Sequence, residues 1–346
     1  MRPARFLALF CLLHCAYAQE PVLNEVREER YTPSPLNLAG EIAGRPATAA
    51  GVTSDWPAAA VTAGGALHIA YVEWTPGDAD RVLVRTRKPT GQWLEPIEVS
   101  GPGDHYAPAI AARGEGALVI WPAQVSGNFE LFSKEISAAG SAGPAERLTR
   151  AQHSDFNVRA AADKSGNVTI VWQSFRDGNA DIYARRLTRD GWGPETRVSS
   201  SAANDWDPAV ALDSSGKAWI SWDSYQHGNY DVFLRSFNGS KLGEVIPITA
   251  ETAAQFHSSI AIDSQDRVWV AWDDGGENWG KDFSRSSAAP NSRGLYNSRS
   301  IGVRVWGNGR LLAPQAGLSR VLTADMARYA ALPHIAFDQS GALWLV

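Results

Sequence analysis

Residues 204–222 read NDWDPAVALDSSGKAWISW, and this stretch decides the fold. Turn-forming residues lead into Ala209-Val210-Ala211-Leu212, an apolar run of strand length. Asp213-Ser214-Ser215-Gly216 then reads as a turn. The Asp side chain can hydrogen-bond the backbone two residues on, and Gly accepts positive φ. Lys217 to Trp222 alternates as a second strand. Beyond it, Gly228-Asn229 is a hairpin signal, Asp231 to Arg235 a third strand, and Val245-Ile246-Pro247-Ile248-Thr249 a fourth. The unit predicts four short strands, A to D, separated by turns.

The same phrase recurs from Ser154-Asp155-Phe156 through Asp163-Lys164-Ser165-Gly166, Val168 to Trp172, Gly178-Asn179 and Arg197-Val198-Ser199. Looser copies begin near Asp55 and Asp104. Trp74, Trp121, Trp172, Trp222 and Trp272 mark strand B at spacings of 47, 51, 50 and 50. Four strands per roughly 50-residue repeat, with no helical periodicity between them, predict an all-β fold, a β-propeller. The five tryptophans are expected in the wedges between blades, where a large aromatic fills the most volume. Trp219, Trp269 and Trp344, three residues earlier in the phrase, are expected on the opposite face of the same strand.

Five copies are complete, and a sixth runs from Ala327 through Pro333-His334-Ile335-Ala336 and Asp338-Gln339-Ser340-Gly341 to Val346. The expectation is about six four-stranded blades. Two readings of the last blade stand side by side. In one, the segment 19–50, with strands over Glu25–Tyr31 and Ile42–Thr53, supplies its outer strands and removes an open edge. In the other, the ring is truncated and the chain is a piece of a longer protein. The organisation is thus 1–18, 19–50, and 51–346 with an insertion at 273–300.

Residues 1–18 read as a signal peptide: Arg2 and Arg5 are basic, Phe6 to Cys15 is an apolar run too short to span a bilayer, and Ala16-Tyr17-Ala18 fits a cleavage site. Cys15 after Leu12 and Leu13 offers a lipoprotein reading, opposed by His14 where a small residue is needed. The expectation is an exported protein, periplasmic or extracellular, without membrane insertion. Both cysteines, Cys11 and Cys15, lie in this leader, so disulfides, thiol nucleophiles and thiolate metal sites are excluded downstream. The formal charge of −5 is spread in alternating sign with no basic stripe, which argues against nucleic acid as a partner.

The phrases DSSGKAWISW, DKSGNVTIVW and GNADIYARR resemble exported bacterial propellers of the TolB-like and sialidase-like superfamilies. AWDDGGENWGKDF followed by GLYNSRSIGVRVW also resembles a group in which an exported propeller precedes a metal-dependent phosphoesterase-like domain of unknown function. That second resemblance implies a catalytic domain beyond Val346. The sialidase box, Ser-x-Asp-x-Gly-x-Thr-Trp, is not met: here Asp213 and Gly216 are three apart with the aromatic three further on. The family's arginine triad and Tyr/Glu pair find no positions in this sequence, so sialidase activity is not implied.

The D-to-A and B-to-C connections share one face, around the mouth of the central channel, where side chains converge from every blade. Asp55-Trp56, Asp104-His105-Tyr106, Asp155-Phe156 and Asp205-Trp206 fall there, with Phe256-His257 and Arg328-Tyr329 as variants. Trp56, Tyr106, Phe156 and Trp206 are ligand-binding candidates, since aromatic faces beside carboxylates suit sugar rings. The rival reading is structural, because a pair that obeys the repeat serves the repeat. The insertion after Trp272 breaks the repeat and adds Asp273, Asp274, Glu277, Trp279, Asp282 and Arg285 as candidates. Its carboxylates would serve as hard oxygen donors for Ca2+, as an acid/base pair for glycoside hydrolysis, or as a solvated loop. His105, His153 and His257 occupy equivalent loops and offer a three-imidazole metal site. No nucleophile elbow, phosphate-binding glycine loop or HExxH occurs. The function expected is an exported propeller that binds a glycan or peptide at the channel mouth. The alternatives are a glycoside hydrolase or sialidase-like enzyme using the 273–282 carboxylates, or the N-terminal part of a larger exported hydrolase.

Overall fold

The computed structural model describes residues 52–277, 299–314, 329–338 and 340–346. They form six antiparallel sheets, the blades of a β-propeller. The first blade is β1 (Thr53–Val61), β2 (Leu67–Trp74), β3 (Arg81–Arg87) and β4 (Ile97–Glu98), paired in chain order. The second repeats it as β5 (Ala109–Arg113), β6 (Gly116–Val125), β7 (Asn128–Ile136) and β8 (Glu146–Arg147). In the third, β9 (Asp155–Ala162), β10 (Val168–Ser174) and β11 (Asp181–Thr188) are followed by two short outer strands, β12 (Gly191–Trp192) and β13 (Thr196–Arg197), both on β11. The fourth comprises β14 (Asp205–Leu212), β15 (Ala218–Ser224), β16 (Asp231–Phe237) and β17 (Ile246–Pro247). The fifth comprises β18 (Ala253–Ile262), β19 (Val268–Glu277), β20 (Ser300–Gly307) and β21 (Arg310–Leu312). The sixth, among the described residues, is the pair β22 (Ile335–Phe337) and β23 (Leu343–Leu345).

Strands A are innermost and meet blade to blade: β1 against β5, β5 against β9, β9 against β14, β14 against β18 and β18 against β22. Among the described residues each of the five successive blade interfaces has its own apolar cluster, for example Val171, Ile182, Ile220, Trp222, Phe233 and Phe237 between the third and fourth. Stability is therefore distributed over repeated interfaces rather than concentrated in one core.

The wedge position behaves as the repeat predicts in four blades and not in the first. Trp121, Trp172 and Trp222 are buried and stack on their cross-strand partners Phe132, Tyr183 and Phe233 at 6.0, 6.0 and 5.9 Å. Trp272 is buried as well, opposite Gly302, and a Cβ at Gly302 would stand 2.2 Å from Trp272 Cε2. In the first blade the register places Tyr71, not Trp74, at the wedge. Tyr71 is buried, whereas Trp74 lies half-buried at the end of β2 with Nε1 donating to Asp55 Oδ2 at 2.9 Å. A spacing of 47 was thus an accident of two aromatics; counted from Tyr71 the step is 50, like its neighbours.

The turn Asp does more than cap. Asp213 Oδ1 accepts from the backbone of Ser215 and Lys217, and its Oδ2 accepts from Trp219 Nε1 at 3.2 Å. Asp263 does the same for Trp269, and Asp338 for Trp344. Hydrogen bonds from Ser340, Trp344 and Ala342 hold the exposed Asp338 carboxyl down to about 2. The Gly-Asn pairs also hold more than a turn: Asn179 Nδ2 donates to the carbonyls of Ser201 and Ala203, and Asn229 Nδ2 to those of Glu251 and Ala253. Each Asn ties its B-to-C turn to the loop entering the next blade.

Candidate functional site

Strand A carries a β-bulge at its channel-mouth end. The register slips between Asp55 and Ala58, between Trp206 and Ala209, and between Phe256 and Ser259. In four blades the bulged residue has positive φ, Trp56 (49°), Asn157 (53°), Asp207 (46°) and His257 (52°), and Leu332 (58°) repeats the conformation ahead of β22 in the sixth. A left-handed conformation at a non-glycine residue is disfavoured by roughly 1–2 kcal/mol. Its recurrence shows that the bulge belongs to the fold, which uses it to re-aim one side chain per blade. The second blade has Ala107 there, before the start of β5.

A carboxylate from the preceding blade secures the bulge. Asp223 Oδ1 accepts from His257 N at 3.1 Å, and Asp273 Oδ1 accepts from Leu332 N at 2.6 Å. Both aspartates directly follow a wedge tryptophan on strand B, and both are almost wholly buried. Burial, reinforced by the charge of Asp207, pushes the Asp223 carboxyl well above the usual carboxylate range.

The bulged side chains of the third, fourth and fifth blades then join one another. Asn157 Nδ2 donates to Asp207 Oδ1 at 2.6 Å. Asp207 Oδ2 faces His257 Nε2 at 3.4 Å, and His257 Nδ1 meets Asp273 Oδ2 at 3.1 Å. Arg299 Nη1 closes the chain on Asp273 Oδ2 at 3.0 Å, its guanidinium lying 5.0 Å from the Phe256 ring centre. Arg159, two residues after Asn157, is exposed and donates Nη1 to Val158 O at 3.0 Å; desolvation by the protein around it lowers its pKa against the pull of Asp207.

Beside this polar chain runs an aromatic arc. Trp56 and Tyr106 have ring centres 4.8 Å apart, Tyr106 and Phe156 5.8 Å, Phe156 and Phe175 5.6 Å, and Phe175 and Trp206 5.8 Å. Trp56 and Tyr106 are 44% and 37% exposed, so this end of the arc is open to a ligand. Tyr225, Tyr230 and Phe256 continue in the same manner on the fourth and fifth blades. The structure therefore brings Trp56, Tyr106, Phe156 and Trp206 into one contiguous arc, with Phe175 as an unforeseen link.

The aspartates expected beside those aromatics turn inward instead. Asp155 is buried against Arg176, and Asp205 accepts from Ser201. The insertion candidates divide. Asp273 accepts from Leu332 N on Oδ1, and its Oδ2 meets His257 Nδ1 and Arg299 Nη1. Asp274 accepts from Gly276 N, and Glu277 from Thr252 Oγ1. Trp279, Asp282 and Arg285 lie outside the described residues. The three histidines do not converge as ligands: the His105 ring bonds Gly101 O, and His153 is exposed. Among the described residues no group of three His, Cys, Asp or Glu is placed to hold a metal ion. No helix among them is long and apolar enough to cross a membrane, which says nothing of β-barrels.

Asn157, Asp207 and His257 as a linked set, and the Asp223 latch, were not foreseen together. Their one signal was that the residue after the aromatic changes over the third to fifth blades, as Asn157, Asp207 and His257, while Phe156, Trp206 and Phe256 keep the aromatic.

Fold and mouth define a β-propeller with an open, mixed aromatic and polar channel entrance. No family model and no curated relative matches the chain. Among solved structures it is similar to a protein of unknown function from Dyadobacter fermentans, at 10% identity over 83% of this chain and 87% of that one, with a TM-score of 0.53. It is also similar to a Trypanosoma rangeli sialidase in complex with sialic acid, at 12% identity and a TM-score of 0.50. That match covers 85% of this chain and 51% of the sialidase, so the chain spans about half of that enzyme's length. A thermostable family-43 glycoside hydrolase matches at 14% identity over 76% of this chain and 93% of that one, with a TM-score of 0.41. At such identities the first two likenesses speak for the fold alone.

Proposed function

We propose that this protein is an exported propeller that binds a glycan or peptide at its channel mouth. The aromatic arc from Trp56 to Trp206 carries the reading, because it runs across four blades and sets exposed ring faces beside hydrogen-bonding groups. One solved neighbour of the same fold is a sialidase in complex with sialic acid, which agrees with a glycan ligand. The test is titration of an oligosaccharide and peptide panel, followed by intrinsic tryptophan fluorescence, on the wild type and Tyr106→Ala. Loss of one stacking face should weaken binding about tenfold, as for an interaction of 1–2 kcal/mol; equal affinities would remove the arc from the site.

An enzymatic reading draws on one observation, the buried, protonation-prone Asp223 close to the partly exposed Asp207. Such a pair has the makings of a general acid and base. The bond from His257 N gives Asp223 a structural duty that the equivalent Asp273 shares, so binding is the better-supported function. Turnover of aryl glycosides abolished by Asp207→Asn would reverse that order.

A further inference from the structure

We infer that the channel mouth reads an uncharged saccharide, held by the bulge residues of the third to fifth blades, Asn157, Asp207 and His257. The inference rests on the binding function proposed above and specifies its ligand.

The bulge is common to the blades, but its side chains fall into two sets. The third, fourth and fifth blades present Asn157, Asp207 and His257, a hydrogen-bonding arc linked from residue to residue. The sixth, first and second present Leu332, Trp56 and Ala107, an apolar arc. The backbone that aims these groups is repeated, whereas their chemistry is not. A repeated structural duty would keep the side chain; here only the conformation is kept. One polar and one apolar arc around a single opening match a pyranose ring, which offers hydroxyls at its edge and C–H groups on its face. Asp207 and His257 remain about one-third exposed, at 37% and 34% of their side chains, so a ligand hydroxyl can reach them.

Charge selects among saccharides. The mouth guanidinium of Arg299 is bound to Asp273, and that of Arg176 to Asp155 and Glu195. Arg159 lies within the field of Asp207, while its Nη1 donates to Val158 O at 3.0 Å rather than to a carboxylate. A ligand carboxylate would have to displace an internal carboxylate at Arg299 or Arg176, and at Arg159 it would lie in the repulsive field of Asp207. A neutral polyol needs no such exchange, because its hydroxyls both donate and accept.

The test uses the full chain, calorimetry and a panel of neutral hexasaccharides (xylohexaose, cellohexaose, maltohexaose), with trigalacturonic acid and sialyllactose as anionic probes. Asp207→Gly and His257→Gly are the variants of choice, since glycine keeps the left-handed backbone while removing the side chain. At least one neutral probe should bind, neither anionic probe should match it, and each variant should lose about tenfold or more in affinity. Asp207→Asn, which also tolerates positive φ, controls for folding and should bind more weakly than wild type at an unchanged melting temperature. Preferred binding of an anionic probe would overturn the inference while leaving a glycan site in place. Neutral binding that ignores both glycine variants but falls in Tyr106→Ala would overturn it too. Binding of no saccharide would overturn both the inference and the glycan function beneath it.

Discussion

Replacing Gly302 by alanine tests the packing logic of the wedge. In the second to fourth blades the wedge tryptophan stacks on Phe132, Tyr183 or Phe233, but in the fifth the Trp272 indole occupies the space above Gly302. An alanine Cβ would stand 2.2 Å from Cε2, 2.4 Å from Cζ2 and 2.5 Å from Nε1 of that ring. Carbon atoms rest about 3.5 Å apart or more, so the indole must move by roughly 1 Å. It is confined by Val232, Leu234, Ile260 and Val270 of the same cluster. Gly302 has no positive φ, so the effect is steric alone. Overpacking of this kind destabilises by about 1–3 kcal/mol, seen as a fall in melting temperature of about 4 °C for a chain of this size. The assay is thermal and urea unfolding of Gly302→Ala, Trp272→Leu and the double variant. The smaller leucine makes room, so the double variant should be more stable than the sum of the single effects by about 1 kcal/mol. A Gly302→Ala loss below about 0.5 kcal/mol, or strict additivity with Trp272→Leu, would refute the contact.

Tyr71→Ala should destabilise by about 3 kcal/mol and Trp74→Ala by about 1, because only Tyr71 is fully buried at the wedge; urea midpoints decide between them. Asn179→Ala and Asn229→Ala each free two loop carbonyls and should lose about 1–2 kcal/mol, with faster amide exchange in residues 199–205 and 249–255 respectively. Asp181 is pushed up to about 6, chiefly by burial. A carboxyl raised on folding contributes stability that is present below its unfolded pKa and is lost as pH rises through the folded one, here between about pH 4 and 6. Asp181→Asn should therefore flatten the pH dependence of unfolding in that window. Asp223, raised in the same sense, should contribute a decline as pH rises through its own raised pKa, and Asp223→Asn should remove it.

Much of the architecture was legible from residues 204–249 alone. Strand lengths, the Asp-x-x-Gly turn, the Gly-Asn turn and the 50-residue step are local properties, and local propensity with alternation suffices to read them. Tyr106, Phe156 and Trp206 were legible as well, since they hold one place in the repeat, whereas Trp56 sits one place later, at the bulge it shares with Asn157 and Asp207. The first wedge residue was not: Tyr71 and Trp74 are both aromatics on one strand, and only the pairing of β1 with β2 says which faces inward. Nor was the polar chain. Asn157, Asp207 and His257 stand 50 residues apart in sequence and touch because three bulges turn them across adjacent strands A. Asp223 and Asp273 look like exposed turn residues after a tryptophan, yet each is buried and latched to the next blade's backbone. By itself, then, the sequence determined the blade and its repetition, which depend on short-range chemistry. Which side chains meet at the channel mouth was decided by the tertiary structure, because a one-residue bulge reverses a side chain's direction and only closure of blade on blade brings distant bulges together.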